Sequence, residues 1–199
     1  MPEGARTQNC PDFLLEAARE LMAEQGYGAM SMRQLVAARV GLQPGSLYHH
    51  IASKEDLLLD VLLNTLAHRL EAWKSGPYTR DLRGYLSFLL ARQRSHPCEE
   101  LLLRHESRHV KASHRIWLAQ ALDRLQAPLH QAIEQGLRSG HFNVQDIPSA
   151  IAAIYALIDT TDGMRNRPMP VDEAWIEAWI VRMSIALLSC PNTSERNAL

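Results

Sequence analysis

Aromatic residues make up only 6% of this 199-residue chain, and cysteine occurs three times. Cys10, Cys98 and Cys190 are odd in number and far apart, with no CxxC pair and no zinc-type histidine spacing nearby, which argues against a disulfide frame and a structural metal. Three buried thiols are the expectation. Long apolar runs are missing too: Ile151–Ile158 falls far short of the roughly 20 residues a bilayer crossing needs. The first residues show no basic-then-apolar leader pattern, so a cytoplasmic protein without membrane contact is expected. Excess charge of one sign is absent as well. Lys and Arg number 21 against 22 Asp and Glu, so the chain has no polycation signature and any nucleic-acid contact must come from local placement. Catalytic signatures are equally scarce, with no glycine-rich phosphate loop, GxSxG elbow or HExxH. The acidic pairs Glu55-Asp56 and Glu99-Glu100 stand where helices start, and capping accounts for them. No enzymatic activity, cofactor or resident metal is expected.

What is present is helical periodicity, with almost no period-two alternation, which predicts an all-α protein. From Asp12 to Gln25 the apolar set Phe13, Leu14, Ala17, Ala18, Leu21 and Met22 forms one face, with Glu16, Glu20 and Glu24 on a separate stripe. Gly26 is placed to end that helix in a left-handed cap, with Tyr27 folding back onto the last turn. Ser31 caps a second helix, Met32–Val40, whose Met32, Leu35, Val36 and Val40 face inward. Gly41 stops it, and a two-turn helix follows from Gly45 to His50. Ser53-Lys54-Glu55-Asp56 is a capping pattern opening a long helix to Trp73. Further helices are predicted near 79–95, 97–106, 112–139, 147–163 and 172–190, with Pro128 kinking the third and Gly140 capping it.

Met32–Val40 and Gly45–His50, joined by a tight glycine-containing turn, have the layout of a helix-turn-helix that sets its second helix in the DNA major groove. Gln43, Ser46, Tyr48 and His49 carry side chains able to reach base edges or phosphates, while Leu42, Leu47 and Ile51 are spaced to anchor the helix. Lys54, at a helix start beside this unit, can join the exposed backbone N–H groups in meeting a phosphate. Acids outnumber bases over residues 1–57, so few phosphate contacts and a shallow salt dependence are expected.

The stretch AEQGYGAMSMRQLVAARVGLQPGSLYHHIASKEDLLLDVL closely resembles the DNA-binding segment of the TetR family of bacterial transcription regulators. The carrying features occur in order: a helix ending in Gly-Tyr, small Ala37, Gly41, the Gly-Ser-Leu-Tyr run from Gly45 to Tyr48, and Ser-Lys-Glu at 53–55. Ile51 stands where phenylalanine is usual and Val40 where alanine is common, both changes of packing. The resemblance implies a DNA-binding domain over residues 1–56, a ligand-binding and dimerisation domain over 57–199, and DNA contacts from Ser46, Tyr48 and His49. It adds Arg33 as a backbone-contact candidate and Lys54 as a phosphate clamp. It further implies a homodimer on a palindromic double-stranded operator, released when a small effector tilts the helix that Ser53 opens.

Dimerisation has support from the residues themselves. Ile151, Ile154, Tyr155 and Ile158 on one helix, and Trp175, Trp179, Met183 and Leu187 on the last, offer more apolar surface than one small core needs. For the effector, Tyr85, Phe88, Arg92, His96, His105, His109, Trp117, Tyr155 and Asp159 could line an apolar cavity with polar anchors. The run from Glu106 to Arg108, with Gly136, Gly140, Phe142 and Asp146 beyond it, looks similar to family members governing lipid and acyl-CoA breakdown, suggesting a hydrophobic, acyl or aromatic effector. Two alternatives stand beside this: a metal- or anion-responsive regulator using His105 and His109, four apart on one helical face, and a dimeric interaction module that does not read DNA.

Overall fold

A computed structural model describes residues 10–35, 51–169 and 171–189. Every regular element among them is helical: α1 (Asp12–Ala29), α2 (Met32–Leu35), α3 (Lys54–Ser75), α4 (Leu82–Ser95), α5 (Pro97–Leu101), α6 (Arg115–Arg138), α7 (Ile147–Arg165) and α8 (Glu173–Leu188). Between α5 and α6 lie a wide π-type turn, Leu102–Glu106, and two 3₁₀ turns, Ser107–His109 and Ala112–His114. The continuous helix expected over 97–106 is thus only five residues of α-helix. None of the described helices is long and apolar enough to cross a membrane.

The chain forms two compact units, one of residues 1–72 with 93–125, the other of 73–92 with 126–199. This differs from the expected boundary after residue 56, because the first unit is built as much by α3 and by α5 with its following turns as by α1. Its core joins Leu14, Ala18, Leu21 and Met22 of α1 to Leu57, Leu58, Leu62 and Leu66 of α3 and to Leu102, Val110, Leu118 and Leu125. On α1, Leu14, Ala17, Ala18, Leu21 and Met22 are buried as expected, whereas Phe13 is 54% exposed and Leu15 is buried beside the others. At 100° per residue Leu15 shares a stripe with Ala18 and Met22, and that stripe meets the core. Leu35 is fully buried and Met32 packs against the cluster. Val36 and Val40 lie outside the described residues.

The expected caps are made. Gln34 N–H donates to Ser31 Oγ at 3.2 Å while Ser31 N–H donates to Gln34 Oε1 at 2.7 Å, a reciprocal capping box. Asp56 N–H donates to Ser53 Oγ at 3.1 Å, and that hydroxyl donates to Asp56 Oδ2 at 2.6 Å. Gly26 has the expected positive φ of 79°, but with ψ 152° it breaks the helix rather than closing it, and one more turn follows to Ala29. α6 runs through Pro128 and ends before Gly140 (φ 75°).

In the second unit an aromatic group forms around Trp73, with Tyr78, Tyr85 and Phe88 within 6.2 Å of it, centroid to centroid. Arg80 stacks on the Trp73 ring at 4.5 Å and donates to the Trp73 and Lys74 carbonyls at 2.6 and 2.7 Å, satisfying the open C-terminal end of α3. α4 starts on Asp81, whose Oδ1 accepts the Gly84 N–H and the Thr79 hydroxyl, each at 2.8 Å. Those donors, the Gly84 amide foremost, hold the Asp81 carboxyl below the usual carboxylate range. A depressed carboxyl contributes stability above its ordinary range and loses it as pH falls through the folded value. Asp81→Ala is therefore expected to cost about 1 kcal/mol at neutral pH and to narrow the gap from the parent in acid, as followed by urea unfolding at several pH values.

Candidate nucleic-acid interface

The head of α3 is held by residues from three segments, all within the first unit. Lys54, in the first turn of α3, donates from Nζ to the Gly28 carbonyl at 3.3 Å and lies 4.4 Å from the centroid of the Tyr27 ring. Tyr27, expected to fold back onto the end of α1, in addition meets the His109 ring at 5.3 Å with planes 30° apart. Lys111 Nζ sits 3.6 Å from Glu55 Oε2, and His114, buried in the second 3₁₀ turn, places Nε2 3.4 Å from Asp56 Oδ1. The 107–114 stretch therefore contacts both acids of the α3 cap. The backbone N–H at the helix start, with Lys111 adding its charge, holds the Glu55 carboxyl below the ordinary range. Partial burial and then Glu55 push the Tyr27 hydroxyl up, so Tyr27 is a neutral ring facing a cation.

Of the expected DNA contacts, Arg33 is exposed on α2 and Lys54 is half-buried at the head of α3. Gln43, Gly45, Ser46, Tyr48 and His49 lie outside the described residues. Ile51, expected as an anchor, is buried in the core. Tyr27, Gly28, Lys111 and His114 went unnoticed as parts of this site, since three-dimensional proximity alone joins 27–28 to 54–56 and to 107–114.

The expected effector residues are dispersed. Tyr85 and Phe88 are buried in the aromatic group, with the Tyr85 and Tyr155 hydroxyls 3.2 Å apart. Arg92 and His96 are half-buried, and His105 and Asp159 are exposed. Trp117 alone of the set lines a cavity found in the first unit, a half-open groove of about 250 Å³. Leu63, Leu66, Ala67 and Leu70 of α3 form one wall, and Trp117, Gln120, Ala121 and Arg124 of α6 the other. The α3 residues recur at i, i+3, i+4 and i+7, one apolar stripe of the helix.

Among the described residues no three of His, Cys, Asp and Glu cluster to hold a metal, and His109 is engaged by Tyr27 and by the Arg108 Nε at 3.2 Å. Cys10 is buried, its thiol pushed up to about 12 by burial and by Asp60 and Asp12. Cys98 is exposed, against the expectation of a buried thiol, and Cys190 lies outside the described residues. In the second unit Ile151, Ile154 and Ile158 are buried within the protomer, so they cannot serve as contact surface for a second copy unless α7 and α8 part. Trp175 and Met183 are exposed, Tyr155, Trp179 and Leu187 are half-buried, and the Trp175 and Trp179 rings stack 6.3 Å apart.

Residues 14–61 match the model of the N-terminal domain of bacterial regulatory proteins of the tetR family. Through this segment the chain is similar to the tetR family. Its members are regulators rather than enzymes. Among curated tetR-type relatives, the HTH-type transcriptional repressor AcnR of Corynebacterium glutamicum is 31% identical over 83 residues, which is 42% of this chain and 44% of AcnR. The match thus spans less than half the length of that relative. A tetR-family regulatory protein of Rhodococcus RHA1 shares the fold at a TM-score of 0.75 and 23% identity, covering 90% of this chain and 96% of its own. FadR of Bacillus subtilis, solved in complex with stearoyl-CoA, shares it at 0.69 and 20%, over 90% and 98%.

Proposed function

We propose that this chain is a tetR-family DNA-binding transcriptional repressor, acting as a homodimer on a palindromic operator and released by a small apolar effector. The observation that carries the reading is the family match over residues 14–61, which begins in α1, spans the helix-turn-helix motif and ends in α3. Residues 1–56 read DNA in this proposal, with Ser46, Tyr48, His49 and Gln43 toward base edges or phosphates, Gly45 in the turn, and Arg33 and Lys54 on the backbone. Residues 57–199 sense the effector and dimerise, a division of labour that need not follow the packing units. The face offered to a second copy is Tyr155, Trp175, Trp179, Met183 and Leu187, supported by the exposure of large apolar side chains on α8.

The α3–α6 groove is the proposed effector site. Its walls are apolar, and Gln120 and Arg124 suit a polar or anionic head. At about 250 Å³ it lies below the roughly 300–1,000 Å³ of pockets for drug-sized ligands, which favours a compact effector over a long acyl-CoA of the kind seen with FadR. Its α3 wall begins at Leu63, nine residues after Lys54, or roughly 14 Å along the helix axis at 1.5 Å per residue. A ligand wedged there displaces the helix that carries the DNA contact. The effector must bind the displaced state more tightly, by about 1–3 kcal/mol for ordinary coupling.

Selection of bound sequences from a random duplex pool tests the proposal. The expected result is an enriched palindrome with half-sites about 34–36 Å apart or a multiple of that. A folded, dimeric protein that enriches nothing, including after ligand stripping by unfolding and refolding, overturns it.

A further inference from the structure

Lysine is a flexible point charge, and meeting a phosphate requires four rotatable bonds to be ordered. In this chain the ordering is supplied before any DNA arrives. The Lys54 Nζ donates to the Gly28 carbonyl at 3.3 Å and stands over the Tyr27 ring at 4.4 Å, within the range of an attractive cation–ring contact. An ammonium has three N–H groups, so a donor aimed at Gly28 leaves others for a phosphate. The Tyr27 ring is in turn held by the His109 ring at 5.3 Å. His109 Nε2 lies 3.2 Å from Arg108 Nε and 3.7 Å from Glu106 Oε2, so its ring is itself held in place by neighbours on the same turn. Lys111 meanwhile covers the Glu55 carboxylate, the negative group next along the helix from Lys54.

We infer that Tyr27 and His109 are positioning residues for DNA binding: together they preset the Lys54 ammonium for a backbone phosphate at the head of α3. The inference rests on the DNA-binding reading above. It assigns to the 107–109 turn, which follows the π-type turn at Leu102–Glu106, direct control of one DNA contact. Any shift of that turn that withdraws His109 loosens Tyr27 and, through it, Lys54.

A double-mutant cycle on the full-length protein separates this role from a merely structural one. The probe is a random-sequence 30-base-pair duplex, with affinity measured across a salt series and folding checked by circular dichroism and thermal unfolding. Lys54→Gln is expected to flatten the slope of log affinity against log salt by about 0.9 for each protomer seated, the loss of one phosphate contact. Tyr27→Leu is expected to weaken binding roughly three- to tenfold with the slope unchanged, because the charge remains but is no longer ordered. Tyr27→Phe, which keeps the ring, restores parental affinity. In the Lys54→Gln background Tyr27→Leu and His109→Ala are expected to do nothing further. Equal losses in both backgrounds overturn the inference while leaving the DNA-binding reading intact. Parent protein without salt-dependent duplex binding overturns both. Should Tyr27→Leu fail to fold, the His109→Ala cycle decides by the same criterion.

Discussion

Arg69→Met is expected to lower the stability of the protein by about 3–5 kcal/mol, the cost of stranding a buried charge. Arg69 on α3 is only 4% exposed, and its Nη2 lies 2.5 Å from Glu100 Oε1 on α5. Without it the Glu100 carboxylate keeps the longer approach of Arg104 Nε, at 3.8 Å. Arg19 of α1 reaches the neighbouring Glu99 at 3.7 Å, so α1, α3 and α5 are tied through one set of charges beneath the surface. The double variant Arg69→Met/Glu100→Leu is expected to regain most of the loss, since two apolar side chains of similar volume avoid the desolvation that the pair had to offset. Urea unfolding of the four proteins measures both effects through the midpoint at constant slope. A single variant within 0.5 kcal/mol of the parent would mean that Glu100 is solvated, contrary to the packing of α5 against α1.

Leu62→Ala is expected to cost about 2–5 kcal/mol, through lost transfer free energy and the cavity left behind. Leu62 is fully buried in the cluster that joins α1 to α3, with Leu58 and Leu66 one turn to either side. The comparison is Ile116→Ala, at a side chain 58% exposed, where a change within about 0.5 kcal/mol is expected. Because α3 carries Lys54 at one end and the groove in its middle, Leu62→Ala is also expected to weaken duplex DNA binding even where the protein remains mostly folded. Circular dichroism on thermal unfolding gives the first quantity, and a duplex titration at fixed salt the second.

Much of this was legible in the chain. Ser31 and Ser53 announced their caps because a hydroxyl three residues before a matching donor is a local instruction, complete within one turn of backbone. Gly26 and Gly140 were readable for the same reason, each marking a positive φ that other residues rarely adopt. The helical face of α1 was nearly right, and the exposure of Phe13 shows the limit. Periodicity finds a stripe, but which edge of the stripe is buried depends on what packs against it. The break of the 97–106 helix into α-, π- and 3₁₀-type turns left no mark in hydrophobic spacing. The effector candidates fared worst, since aromatic and titratable residues at helical spacing look alike whether they fill a core, as Tyr85 and Phe88 do, or line a groove, as Trp117 does.

The sequence by itself determined the all-helical class, the caps, the breaks at glycine and proline, and the family to which the first third of the chain points. All of these are written in residues within a few positions of one another, where backbone hydrogen bonding and side-chain spacing decide the outcome. Only the tertiary structure decided that residues 93–125 pack with the N-terminal segment, that Lys54 rests on Tyr27 and Gly28 while His109 backs the ring, and that α3 and α6 leave a groove between them. Those pairings join positions 26 to 82 residues apart, and no local pattern specifies them. They follow from burying the apolar faces of several helices against one another at once, and the polar contacts at the head of α3 form where that packing brings their partners within reach.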